Sequence, residues 1–169
     1  MGWSVGYDSN WNRDVGYGVP AQCDHPDCGA EINRGLAYVC GNDVYGGDRG
    51  CGLFFCYDHL TAGTQLCDRC ATEREPFEPT LDADEWINHK LTDPSWDRWR
   101  TECAEQLYAT QRQRVFKAAL EIYQPDGVKI WLDAENRMLE GKSPADLIRS
   151  GDVDRVLALV DFLAEGNFA

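Results

Sequence analysis

Seven of the eight cysteines in this 169-residue sequence lie between residues 23 and 70, and with one histidine they form the array C-x4-C-x11-C-x10-C-x4-C-x2-H-x7-C-x2-C. The donors are Cys23, Cys28, Cys40, Cys51, Cys56, His59, Cys67 and Cys70. Thiolate and imidazole are the donors zinc prefers, and a structural zinc takes four of them in a tetrahedron, so eight donors in four pairs suit two ions. Short spacings such as Cys56-x2-His59 and Cys67-x2-Cys70 turn neighbouring side chains onto one ion, while the long spacings make distant pairs share one. The expected arrangement is a cross-brace. Cys23, Cys28, Cys56 and His59 hold the first zinc, and Cys40, Cys51, Cys67 and Cys70 hold the second.

The rival chemistry is a disulfide framework, the usual reading of an even cysteine count in a short secreted chain. The first residues, MGWSVGYDSNWNRD, show no basic start, apolar core or small-residue cleavage site, and read as no signal peptide. Thiols stay reduced in the cytoplasm, where close Cys/His pairs indicate metal. A thioredoxin-type role for Cys67 and Cys70 lacks the strand–helix pattern around them. Both sets close with four mostly thiolate donors and leave no open position, so the two Zn2+ ions are expected to be structural. His25, between Cys23 and Cys28, is the one alternative donor, and otherwise reads as a solvated loop residue.

Composition bounds the function. Hydrophobic residues make up 43% of the chain, enough for one ordinary domain or two small ones. No apolar run reaches the roughly 20 residues of a membrane span, so no membrane role is expected. The formal charge is −13, and two divalent ions bound by seven thiolates make it more negative. Residues 1–75 carry five Lys/Arg against eleven Asp/Glu, which opposes nucleic-acid binding, where neutralising phosphates supplies most of the affinity. A soluble cytoplasmic protein that binds other proteins fits this balance.

The fold class expected is α+β: a small β-rich two-zinc module over residues 1–75, then an all-α domain over 76–169. Val5-Gly6-Tyr7 and Val15-Gly16-Tyr17 read as two aromatic strands about the turn Asp8-Ser9-Asn10, a lid on the module or an aromatic ligand surface. Leu36 to Cys40 and Leu53 to Cys56 have strand composition, and His59-Leu60-Thr61 reads as the start of a helical turn. Residues 71–81, with Pro76 and Pro79, read as a linker. Asp82 with Glu85 has the form of a helix cap, and Asp93-Pro94 opens a helix placing Trp96, Trp99, Cys103 and Leu107 on one face. Interspersed glutamates make Arg98, Arg100, Arg112 and Arg114 a solvated helix surface rather than a nucleic-acid face. Pro125-Asp126-Gly127 breaks the next helix, and Val128 begins another. Ser143-Pro144-Ala145-Asp146 is a capping box. Asp152 caps a last helix whose core face carries Val153, Val156, Val160 and Leu163, ending at Gly166. Leu159 and Phe162 lie to another side. With Gly166 and Phe168 they form an expected partner-binding surface, the alternative being that they pack under the Trp96/Trp99 helix.

Two resemblances emerge from these residues. Cys51 to His59 resembles the C-x4-C-x2-H core of AN1-type fingers, and the eight-donor rhythm resembles RING, AN1 and B-box cross-brace modules. The final pair departs from AN1, where a histidine precedes the last cysteine, so this resemblance implies metal geometry alone. Over residues 115–169, Trp131-Leu132, Asn136, Leu139, Gly141, Ser143-Pro144, Asp146-Leu147, Gly151, Val156 and Gly166 resemble the toxin-binding domain of the Xre/MbcA/ParS antitoxins. Glu135 stands where that family has Pro. The resemblance implies a non-enzymatic antitoxin-like protein whose partner is a RES-type toxin, an enzyme that destroys NAD, or another host or phage factor. Self-association is compatible with it. Many members carry an N-terminal helix-turn-helix where this chain has a zinc module, and the combined layout resembles small uncharacterised phage or prophage proteins. The competing functions are a nucleic-acid-associated regulator reading through the zinc module, which wants a basic stripe, and an enzyme, which wants a polar constellation the three histidines do not supply.

Overall fold

The structure is a computed structural model, described here for residues 5–166. The chain divides into two compact units, residues 1–88 and 89–169.

In the first unit, β1 (Gly6–Asp8), β2 (Arg13–Gln22) and β3 (Glu31–Arg34) form an antiparallel sheet in that order. The hairpin predicted around Asp8-Ser9-Asn10 forms. Asp8 accepts the Asn10 N–H at 2.8 Å, and Asn12 completes the turn at φ 51°. Register slips between Gly16 and Pro20, so β2 bends while Val15 and Val19 stay buried. The segment Leu36–Tyr38 is a 3-10 turn rather than the expected strand, and Val39 makes one bridge to Phe54. The pairing with Leu53 to Phe55 reaches no further than Tyr38 to Cys40, because the connecting residues 42–52 are a glycine-bearing loop folded on itself. A Cβ on Gly46 would sit 2.3 Å from the Gly50 carbonyl oxygen, so no larger residue fits. A second 3-10 turn, Tyr57–His59, ends at the histidine instead of starting there, since Cys56 and His59 must face one another across it. Helix α1 (Asp68–Ala71) starts at Cys67, whose sulfur accepts the Cys70 N–H.

Residues 71–81, which read as a linker, are tied into the first unit. Phe77 is buried with Leu53, Phe55 and Leu66, Thr80 bonds to Asp24, and Asp82 takes the buried Arg34 guanidinium at 2.6 Å. Helix α2 (Asp84–Thr92) follows, with Trp86 and Ile87 buried and the Trp86 indole donating to Asp14 at 3.0 Å. The chain therefore divides at 88/89, where the sequence places a boundary at 75/76. Composition shows the prolines of this stretch but not its long-range partners.

The second unit is helical. Asp93 caps a turn, Pro94–Trp96, as expected, through the Ser95 N–H. The long helix predicted beyond it is broken into α3 (Asp97–Glu102) and α4 (Ala104–Ala119) at Cys103, whose ψ of 58° leaves the helical region. Neither Gly nor Pro marks the break, so periodicity runs through it. Cys103 is partly exposed rather than buried. Helix α5 (Pro125–Asp133) starts at Pro125, not Val128: proline at the first position initiates it. Helices α6 (Pro144–Arg149) and α7 (Val153–Ala164) complete the unit, and α7 packs on α4 and α6. Val115, Leu132, Leu139, Leu147, Ile148, Val156 and Val160 form the core. Asp152 precedes α7 without a side-chain capping bond.

Ser143 closes the predicted capping box. Its hydroxyl accepts the Asp146 N–H at 3.1 Å, and the Asp146 carboxylate accepts from the Ser143 hydroxyl and N–H, which holds that carboxyl below its ordinary value. Ser143→Ala is expected to lower the stability of the helical unit by about 1 kcal/mol, read as a fall in its denaturation midpoint. An unchanged midpoint would mean α6 needs no cap.

Candidate functional site

The fold assembles the eight donors into two groups. The first holds Cys23, at the end of β2, Cys28 in the loop before β3, and Cys56 and His59 about the second 3-10 turn. The second holds Cys40 and Cys51, flanking the glycine-bearing loop, with Cys67 and Cys70 at the start of α1. In each group the donor atoms lie within 4.8 Å of one another, and either group could hold a metal ion.

The distances suit a tetrahedral ion. Metal–sulfur bonds of about 2.3 Å and metal–nitrogen bonds of about 2.0–2.1 Å place sulfurs about 3.8 Å apart and sulfur about 3.5 Å from nitrogen. Cys28 and Cys56 sulfurs are 3.8 Å apart, and His59 Nδ1 lies 3.5 Å from Cys23 and 3.3 Å from Cys56. Backbone N–H groups already face the sulfurs: Cys56 donates to Cys23 at 3.4 Å, Cys67 to Cys40 at 3.2 Å and Cys70 to Cys67 at 3.4 Å. Such bonds disperse thiolate charge.

The thiols by themselves share charge unevenly. Hydrogen bonds from Cys51 and Cys67 hold the Cys40 thiol down to about 2, while its bond to Cys40 drives Cys51 strongly upward. Burial pushes Cys23 and Cys70 up to about 12. Crowded sulfurs thus retain protons that a divalent cation would displace.

His25 belongs to neither group. It stacks flat on His59, ring centres 4.0 Å apart and planes 5° from parallel, with Phe77 at 5.1 Å on a tilted contact. It is half-buried, not solvated, and braces the ligand imidazole instead of replacing it.

A second feature escaped the sequence. Asp24, next to Cys23, is 1% exposed and accepts five hydrogen bonds: two from Arg13 at 3.0 and 2.8 Å, two from the Thr80 N–H and hydroxyl, and one from the Phe54 N–H. Burial alone would raise this carboxyl. The Arg13 charge and these bonds outweigh burial and hold it below its ordinary value. One side chain so ties β2, the segment before Cys56 and the irregular segment at Thr80 around the first donor group. Nothing in a lone aspartate beside a cysteine signals this role.

The helical unit holds the second set of candidate residues. Asn136 accepts the Met138 N–H at 2.8 Å through its side chain and the Gly141 N–H at 3.0 Å through its carbonyl, so Asn136 to Lys142 closes as a compact loop. Glu140 and Gly141 both adopt positive φ there, 59° and 81°. Leu132 and Leu139 are buried, Pro144 is the first residue of α6, and Trp131 is partly buried against Tyr123. Leu159, expected on a docking face, is 5% exposed and lies in the core. Its place follows from spacing, because Val156, Leu159, Val160 and Leu163 make one continuous helical stripe wider than the face assigned from sequence. Phe162 is 40% exposed. Gly166 ends α7 at φ 84°, and Phe168 lies outside the described residues.

Among the described residues no helix is long and apolar enough to cross a membrane. Residues 118–166 match the antitoxin Xre/MbcA/ParS C-terminal toxin-binding domain. Over 54 residues, 32% of this chain, the sequence is 46% identical to the mycobacterial cidal antitoxin MbcA of Mycobacterium tuberculosis and to that of Mycobacterium bovis. The chain spans about half the length of these relatives, 48%. A chain in the crystal structure of the M. tuberculosis MbcT-MbcA toxin-antitoxin complex is 29% identical, covering 53% of this chain and 87% of that one, with a TM-score of 0.35. The C-terminal part of the chain thus carries an antitoxin toxin-binding domain, homologous to that of MbcA.

Proposed function

We propose that the chain is a cytoplasmic, non-enzymatic antitoxin whose residues 118–166 bind a RES-type protein toxin, and whose first unit is folded by two structural zinc ions. The observation that carries the reading is the match over residues 118–166. The geometry supports it, since the motif residues shape turns and core rather than a reactive pocket: Asn136 and Gly141 close a loop, and Ser143 and Pro144 start a helix. The same unit leaves large apolar side chains in solvent, with Ile130 at 72%, Met138 at 41%, Phe162 at 40% and Leu120 at 39% exposure. A toxin covering these residues would remove apolar surface from water, the main favourable term in association. Zinc is the ion assigned to both donor groups because thiolates with at most one imidazole, closed at four donors, are its structural coordination. The ions hold the backbone and take no part in a reaction.

The docking surface proposed is the exposed end of α7 with the residues after it, Phe162, Gly166 and Phe168, without Leu159. Phe162→Ala and deletion of residues 166–169 are each expected to weaken capture of a RES-type toxin about thirtyfold, the effect of losing about 2 kcal/mol at an interfacial aromatic. Calorimetric titration of a purified RES-type toxin reads the loss, and a thermal midpoint within about 2 °C of the parent shows an intact fold. Undiminished binding in both variants would remove this end of the domain from the interface.

A further inference from the structure

We propose that the first unit carries its own docking groove, across the segment joining Cys56 to Cys67, for an extended arginine- or lysine-bearing segment of another protein. Two depressions flank Leu60 and Thr61, which line both. One, of about 370 Å³, is bordered by Tyr57, Ala62 and Gln65 and is uncharged. The other, of about 290 Å³, is bordered by Asp58, Asp68 and His25. No lysine or arginine lines either one. Asp68 is ion-paired to Arg74 at 2.7 Å, which leaves Asp58 as the carboxylate with the greater share of its charge to offer.

Tyr57 is the centre of the surface. At 73% exposure it is the most exposed of the large hydrophobic residues described, yet it is held in place. Its ring lies 5.7 Å from that of Tyr38, which packs on the buried Val39 and Phe54. Its backbone belongs to the turn between two donors of the first group, Cys56 and His59. The far wall is fixed as well: Thr61 bridges Leu66, and the Gln65 side chain donates to the Ala37 carbonyl at 2.9 Å. An aromatic face held rigid in water loses little conformational entropy when a partner covers it.

Charge selects the occupant. Residues 1–88 contain fifteen Asp/Glu and five Lys/Arg. Two of those five, Arg13 and Arg34, are buried in ion pairs. A guanidinium or ammonium over the Tyr57 ring with Asp58 beside it gains from both ring and carboxylate, and its methylene stem lies on Leu60 and Ala62. An acidic segment meets repulsion at the same place. This surface is independent of the helical unit and of toxin capture.

The test uses the zinc-loaded 169-residue chain and two fluorescein-labelled peptides, alternating Ala-Arg and alternating Ala-Glu. The Ala-Arg peptide is expected to shift amide resonances of residues 57–65, with Tyr57→Ala and Asp58→Asn each weakening its binding about fivefold by anisotropy. Glu31→Gln, an exposed carboxylate on β3 that lines neither depression and lies outside residues 118–166, is expected to leave that binding and the toxin titration unchanged. Both groove variants are checked for a two-zinc mass, so lost folding is separated from lost contact. Equal weakening by Glu31→Gln, equal binding of the Ala-Glu peptide, or full binding by a folded Tyr57→Ala protein would each overturn the groove.

Discussion

Zinc-loaded protein in native mass spectrometry is expected to show two zinc ions per chain, and Cys56→Ser is expected to unfold the first unit. Structural zinc supplies about 10–16 kcal/mol per site in small modules, comparable to the whole stability of a typical domain. The ligand cysteines Cys23, Cys40 and Cys67 are themselves core members of the first unit, so losing a site opens its packed interior. Removing the Cys56 thiolate leaves three donors, and the sulfurs they crowd together then hold protons instead of an ion. Far-UV circular dichroism should keep most of its helical signal, because α3 to α7 pack around a core that contains no donor residue. Acidification of the parent should release both ions, since binding requires ionised thiols. A mass showing one zinc or none, or intramolecular disulfides in the folded protein, would defeat the two-zinc reading.

The second large effect concerns a residue that binds no ion. Asp24→Asn in the zinc-loaded chain is expected to cost the first unit about 3–5 kcal/mol, because Arg13 is then a buried guanidinium without its counter-charge. The pH dependence has a definite sign. The Asp24 carboxyl sits below its ordinary value in the folded chain, so its contribution is present above the unfolded value of about 3.9 and disappears as pH falls through the folded one. Zinc release to a chromogenic chelator in rising urea measures the loss. The parent should release its ions at higher urea than Asp24→Asn at pH 7, where the Asp24 carboxylate is fully ionised. A gap under about 1 kcal/mol at pH 7 would show that the Arg13–Asp24 pair is dispensable.

The sequence by itself determined features written in short spacings. Cys56-x2-His59 and Cys67-x2-Cys70 each turn onto one group within a single turn of chain, so the array was legible before any fold. The hairpin at Asp8, the cap at Asp93, the capping box at Ser143 and the antitoxin motif from Trp131 to Gly166 are equally local, each a matter of side chains bonding or turning within a few residues. Tertiary structure decided whatever depends on partners distant in the chain. Asp24 carries no local signal until Arg13, Phe54 and Thr80 close on it, and residues 71–81 read as a linker until Phe77 and Thr80 find their partners. His25 reads as solvated until it stacks on His59. The break at Cys103 carries no glycine or proline, and Leu159 is core because the face α7 buries spans a full stripe. The physical reason is common to all of these: burial and long-range hydrogen bonding are properties of the packed chain, and residue type and spacing do not specify them.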